Sequence, residues 1–408
     1  MGFLQRFKAA AVPQPGHKLA PPNGGYGWVV VLASFLALFA TYGVQYTYGV
    51  FQQQYLEVYR GRATTTEIAF VGSVAFASLG LFGVLTGRVG DWLGYRITLF
   101  IGMLFMALGL LLASFATEVW HLYLTQGLMF GIGTSLSFYP AVFAPTQWFD
   151  SRRGLATGIA MAGSGLGGMA VAPITRALIT AVGTQWALRC LSAGVFVFMM
   201  IAILLLRPAP TAVKAGSRAW VISLLKNPAF LGLWATNIFG TYAVAEGLSK
   251  TDGATLVSIM NGASAAGRIL LGLASDHVGR VNTYIGSVFI AGVACFAIWV
   301  PSTGMAPLVI FSLLYGFFMG GFVALTPLVI TVAFGVERMA TTAGMIYAST
   351  GVSNLIGSPI AGAILDATIG DQGYVPLILY AGAMIVAGSC MAVLLVRRKL
   401  TKGWLVKV

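Results

Sequence analysis

Twelve stretches of about twenty residues, nearly all apolar or small, recur along this chain. They lie at approximately 27–50, 67–87, 96–116, 120–143, 154–176, 184–206, 228–246, 253–275, 282–300, 306–333, 339–365 and 373–396. A bilayer core is about 30 Å thick, and a helix rising 1.5 Å per residue needs about 20 residues to cross it. No water is available there to satisfy an exposed backbone N–H or C=O. A chain built of such stretches is therefore read as an all-α membrane protein with 12 transmembrane helices. Composition agrees, because charged residues make up 9% of the 408 residues, against about 25% in soluble domains.

The net charge of +13 raises the question of a nucleic-acid partner, and its distribution answers it. Of the 24 lysines and arginines, 18 fall in alternate segments with the termini, five (Arg60, Arg62, Arg176, Arg189, Lys250) fall on the opposite side, and Arg268 alone remains. That is the positive-inside asymmetry, and it places both termini in the cytosol. The basic tail from Arg397 to Lys407 reads as a topology anchor near anionic headgroups, so no nucleic acid is expected. Residues 1–25 lack the apolar core of a cleavable signal peptide. Cys190, Cys295 and Cys390 all lie in apolar runs, with no metal or disulfide spacing, and no cofactor is expected. The plasma membrane is the expected residence, an organelle membrane the alternative.

An internal repeat divides the chain. The loop after the second stretch carries Gly87-x-x-x-Asp91-x-x-Gly94, and the loop after the eighth carries Gly272-x-x-x-Asp276-x-x-Gly279. The two aspartates are 185 residues apart; the same offset relates Phe149 to Phe334 and Arg153 to Arg338, and one residue more relates Gly165 to Gly351 and Pro173 to Pro359. Two six-helix pseudo-repeats in parallel orientation, with the solute site between them near mid-membrane, describe the major facilitator fold. The expected layout is a cytosolic tail (1–26), an N-terminal bundle (27–206), a cytosolic linker (207–227), a C-terminal bundle (228–396) and a second tail (397–408). In each loop the aspartate either pairs with a loop arginine (Arg96, Arg280) or caps a neighbouring helix end. Such a latch would hold one arrangement of the halves and break when they rock; a loop that only satisfies topology is the plainer reading.

Arg268 sits inside Leu256–Asp276, with twelve residues of that stretch before it and eight after. Its guanidinium is thus roughly 12 Å or more from either end. A charge at that depth normally faces a bundle interior or a water-filled cavity and marks a solute path. Asn261, seven positions earlier, shares its face. On span one a helical wheel puts Tyr42, Gln45 and Tyr46 together, as a solute-facing polar face or as part of an aromatic belt. Tyr315, Tyr347 and Asn354 are further polar groups in apolar runs, serving either cargo or helix packing. In the loop QWFDSRR, Arg152 and Arg153 act as gate residues or as topology anchors. Gly163, Gly165 and Gly168 have the spacing of a dinucleotide-binding loop, but no strand precedes them; they read as a surface for close helix contact.

The motifs NGGYGW, WFDSRRGLATGIAMAGSGLGG and NGASAAGRILLGLASDHVGR together resemble those of the monocarboxylate transporter family, closest to its fungal branch, and the resemblance covers essentially all twelve spans. It implies transport of small monocarboxylates, usually with a proton as co-substrate, and makes Arg268 the carboxylate partner. Two positions depart from the animal members: Tyr46 stands where they have a lysine, and Ser264 where they have an aspartate. His17, His121 and His277 lie in tails or loops, so facilitated diffusion, or a proton carried by the solute, replaces the familiar relay. Span seven (228–246) is about ten residues shorter than the family's usual segment.

The sequence therefore points to a secondary transporter in the lipid bilayer, moving a small organic acid by alternating access. An exporter of a larger metabolite or vitamin-like solute on the same fold is the alternative. A solute sensor normally needs a longer cytosolic segment, and no constellation of catalytic groups points to an enzyme.

Overall fold

The computed structural model describes residues 21–209, 252–302, 304–334, 341–349, 351 and 375–397. Among them no strand occurs. Helix α1 (Gly27–Tyr46) passes through Thr47 into α2 (Tyr48–Val58). The next span is a bent pair, α3 (Thr65–Leu81) and α4 (Gly83–Leu93), angled by 49° at Phe82. A capping box starts it: Thr64 Oγ1 accepts from Glu67 N at 3.2 Å, and Glu67 Oε2 accepts from Thr64 N at 2.7 Å. Then come α5 (Tyr95–Ala113) and α6 (Val119–Trp148), which runs through Pro140 and Pro145 without stopping.

Helix α7 (Arg153–Leu205) is kinked at Gly183, whose non-helical backbone (φ +81°) divides it where the fifth and sixth stretches meet. Beyond the linker lie α8 (Asp252–Val278), α9 (Arg280–Trp299), α10 (Met305–Phe334), α11 (341–349) and α12 (Val375–Met391). Seven of the described helices are long and apolar enough to cross a membrane, or eight if the bent pair counts as one span. Residues 1–20, the seventh stretch, Asn354, Pro359 and residues 398–408 lie outside the described residues.

Side chains such as Leu85, Leu124 and Leu204 point outward and exposed, as in a bundle solvated by lipid. The repeat is present atom by atom. Gly94 (φ +85°) and Gly279 (φ +110°) both occupy the left-handed turn that ends one helix and starts the next, a conformation glycine adopts without steric cost. One turn later, Thr98 Oγ1 donates to Gly94 O at 2.9 Å and Thr283 Oγ1 to Gly279 O at 2.8 Å. Further along, Thr146 donates to Phe143 O at 2.8 Å and Thr331 to Leu328 O at 2.7 Å.

The glycine run of α7 lies between α1 and α8. A Cβ on Gly163 or Gly167 would strike the carbonyls of Phe35 and Phe39, and one on Gly165 would lie 3.0 Å from the carbonyl of Asn261. Close helix contact, not nucleotide binding, is the use of that spacing.

Candidate functional site

The two halves meet at two helix crossings related by the repeat. On one side α3–α4 crosses α11: a Cβ on Gly83 would fall 2.9 Å from Gly344 O, and Gly80 abuts the backbone of Tyr347 and Gly351. On the other, α7 crosses α8, with Gly158 against Arg268 O and Gly154 against Gly272 O. Backbones approach this closely only because the side chains are missing.

Both loop aspartates reach across to the opposite half. Asp276 takes Gly154 N at 2.9 Å on one oxygen and Leu155 N at 3.0 Å on the other, at the first turn of α7. Asp91 Oδ2 takes Thr341 N at 3.1 Å and Thr341 Oγ1 at 2.6 Å, on α11. Helix capping, one of the two roles open to these aspartates, is seen for Asp276 at the start of α7. The unpaired N–H groups and the positive dipole end of a helix stabilise a carboxylate there. Arg280 Nη2 donates to the carbonyl of Asp150 at 2.9 Å. Arg153 Nη2 pairs with Asp150 Oδ1 at 3.1 Å, and its Nε donates to Phe149 O at 2.8 Å. Arg152 stays exposed beside them. Arg96, also exposed, lines with Asp91 and Arg207 a cavity of about 470 Å³. Asn23, in the left-handed region at φ +55°, caps the Asp150–Ser151 turn, accepting from Asp150 N at 2.6 Å and Ser151 N at 3.0 Å.

Away from these aspartates, Arg268 is 2% exposed in the interface between the halves. Its Nη1 donates to Met161 O at 2.8 Å and to Ser164 Oγ, while Ser164 Oγ donates to Met161 O at 2.8 Å. Its Nε has no partner. Among the described residues no carboxylate pairs with it. Tyr42 and Tyr46 stand beside it, the Tyr46 hydroxyl facing the guanidinium. Asn261 completes this side, with Nδ2 close to Gly168. Gln45 is buried with both amide atoms unpaired.

From Tyr42 the site continues through aromatic rings. Tyr42 lies 5.4 Å from Tyr46 and 5.8 Å from Phe138, and Tyr46 lies 6.2 Å from Phe76. Tyr347, from the other half, meets Phe138 at 5.1 Å and Tyr139 at 6.0 Å, edge to face. Tyr315, by contrast, stacks on Phe311 at 5.1 Å, which stacks on Trp299 at 4.7 Å. It belongs to the packing of α9 on α10, not to the group around Arg268.

Ser164, Thr341, Asn23, Phe76, Phe138 and Tyr139 were not singled out as site residues by sequence. A serine among glycines, or a phenylalanine in an apolar run, carries no local signal of its role. Only the crossing helices bring these side chains to the arginine or the aspartates.

A bundle of apolar helices in two repeated halves, closed around a buried charge, defines an integral, multi-pass membrane transporter. The chain belongs to the Major Facilitator Superfamily, which it matches over residues 30–245 and again over 222–407. It is similar to an MFS transporter of Aspergillus flavus, 32% identical over 391 residues that cover 92% of this chain and 88% of that one. It is 31% identical over 395 residues to an agnestins efflux protein of Paecilomyces divaricatus, covering 93% and 89%. A fujikurins efflux protein of Gibberella fujikuroi is 30% identical over 393 residues, covering 92% and 83%.

Proposed function

We propose that the protein is a secondary transporter that exports an organic acid by alternating access, with Arg268 as the partner of the cargo's carboxylate. The observation that carries this reading is the guanidinium itself. It is sealed between the halves, bonds to neutral groups such as the Ser164 hydroxyl and the Met161 carbonyl, and keeps Nε unpaired. A buried cation without a counter-charge costs several kcal/mol, and an anionic cargo offsets that cost by bonding to the fork of donors. Asp91 and Asp276 act as latches: with both bonded across the interface, the halves are closed on the side that carries residues 21–26. Positive-inside charge assigns that side to the cytosol, so in this state the site can open only to the opposite face. The names of two relatives, both efflux proteins, support export. The motifs shared with monocarboxylate porters support the carboxylate.

The test is transport of radiolabelled organic acids by the purified chain in proteoliposomes, native against Arg268→Gln and Arg268→Lys. Loss of flux in both variants is expected, because lysine lacks the planar fork. Undiminished flux in Arg268→Gln removes the role.

A further inference from the structure

We infer that the cargo is an aromatic acid, whose ring system lies among Tyr42, Tyr46, Phe76, Phe138, Tyr139 and Tyr347 while its carboxylate meets Arg268. This rests on the organic-acid reading above and adds the chemistry of the rest of the molecule.

Three observations carry it. First, these rings form one connected group bridging the halves, with neighbouring centroids 5.1–6.2 Å apart. Tyr42 and Tyr46 are also the two rings beside the guanidinium. Second, burial across the group is graded. Phe138, Tyr139 and Tyr347 are buried, whereas Tyr42, Tyr46 and Phe76 are only partly covered. The group thus has a closed floor and a rim that the described residues leave partly uncovered. Third, the floor holds an orphaned donor: the Tyr347 hydroxyl is buried with no partner, although a buried tyrosine hydroxyl usually finds one. With Arg268 Nε, it makes two unpaired donors, one on each of the helices α8 and α11 of the same half.

A hydrophobic pocket for an aliphatic chain needs only apolar surface, which leucine and valine supply. Rings instead offer quadrupoles that favour offset-stacked or edge-to-face partners, a preference beyond buried area and worth about twofold to tenfold in affinity per good contact. A planar acid bearing oxygen substituents would also satisfy Tyr347.

The experiment compares two ligands that differ only in ring saturation, 2-naphthoate and decahydro-2-naphthoate, binding to the purified full chain in detergent at neutral pH. Naphthoate fluorescence reports its own binding, and displacement reports the other. At least tenfold tighter binding of 2-naphthoate is expected. Phe138→Leu and Tyr347→Leu should each pull that ratio towards one, whereas Arg268→Gln should weaken both ligands together. Equal affinities for the native chain, or a ratio unmoved by both leucine variants, overturns the aromatic assignment and leaves the organic-acid reading standing. Binding of neither ligand to a folded native chain removes that reading and this inference with it.

Discussion

Gly83 and Arg268 hold the same place in the two halves, 185 residues apart, and each lies against a glycine of the opposing half, Gly344 or Gly158. At the first crossing the space beside the backbone is filled by the Tyr139 hydroxyl, which reaches the point where a Gly83 Cβ would stand. At the second, a side chain with five N–H donors leaves the crossing and runs up to Met161 and Ser164. Duplication supplied two equal scaffolds; one kept the minimal residue that lets helices slide past each other, and the other placed a charge there. The cross-half aspartate contacts are therefore symmetric and the buried charge is not. On the proposed function, a cargo that engages Arg268 touches one crossing directly and influences the other through the aromatic rings that bridge the halves.

The most damaging change should be Gly158→Leu. Its side chain meets a backbone carbonyl that cannot rotate away, so the helices must part; overpacking costs about 1–3 kcal/mol even where neighbours are flexible. A lowered melting temperature and no transport are expected, with a similar result for Gly344→Leu if the crossings are equivalent. Next comes moving the charge. The double variant Gly83→Arg with Arg268→Gly restores the count of arginines but has no Ser164 beside it and meets Tyr139. Binding of an organic acid should fall by about a hundredfold or more, the scale of deleting one partner from a buried charge pair. Retained binding would break the asymmetry argument.

The latches come third. Asp276→Asn and Asp91→Asn each weaken two cross-half bonds, worth about 0.5–2 kcal/mol. Cysteine labelling or spin-pair distances across the latch side should show the open population rising by about twofold to thirtyfold. The two variants should act alike, since each aspartate accepts two of the described bonds across the halves. The smallest effect is that of Thr341→Ala, which removes only the hydroxyl bond to Asp91, about 1 kcal/mol; its shift in the same measurement should stay within about fivefold. A larger shift than that of Asp91→Asn would show that Thr341 acts on something other than the aspartate.

How far the site was legible can be judged residue by residue. Arg268 is conspicuous in a sequence because a lone charge in an apolar run has one economical explanation. The aspartates are equally visible, for a pattern repeated at a fixed offset needs a cause. Their partners were not visible. Thr341 and the amides of Gly154 and Leu155 become acceptors' targets only when another half is packed against them, and backbone amides have no sequence signature. Tyr315 and Tyr347 look identical in one dimension, each a tyrosine among apolar residues. In the structure the first stacks inside its own half while the second reaches across to Phe138. Gly183 shows the reverse case: the break between the fifth and sixth stretches, readable in the sequence, falls at this glycine, whose φ of +81° lies outside the helical range.

By itself, the order of residues determined the solvent this chain lives in, its helical content, its two-fold repeat and the position of its buried charge. Those follow from local rules: backbone groups in hydrocarbon must bond to each other, and charge is costly there. Tertiary structure alone decided which neutral groups hold the guanidinium, which helices receive the aspartates and which rings gather beside Tyr42. Such pairings depend on how helices far apart in the chain cross, and glycine contacts set those crossings to within an ångström only once both halves are packed.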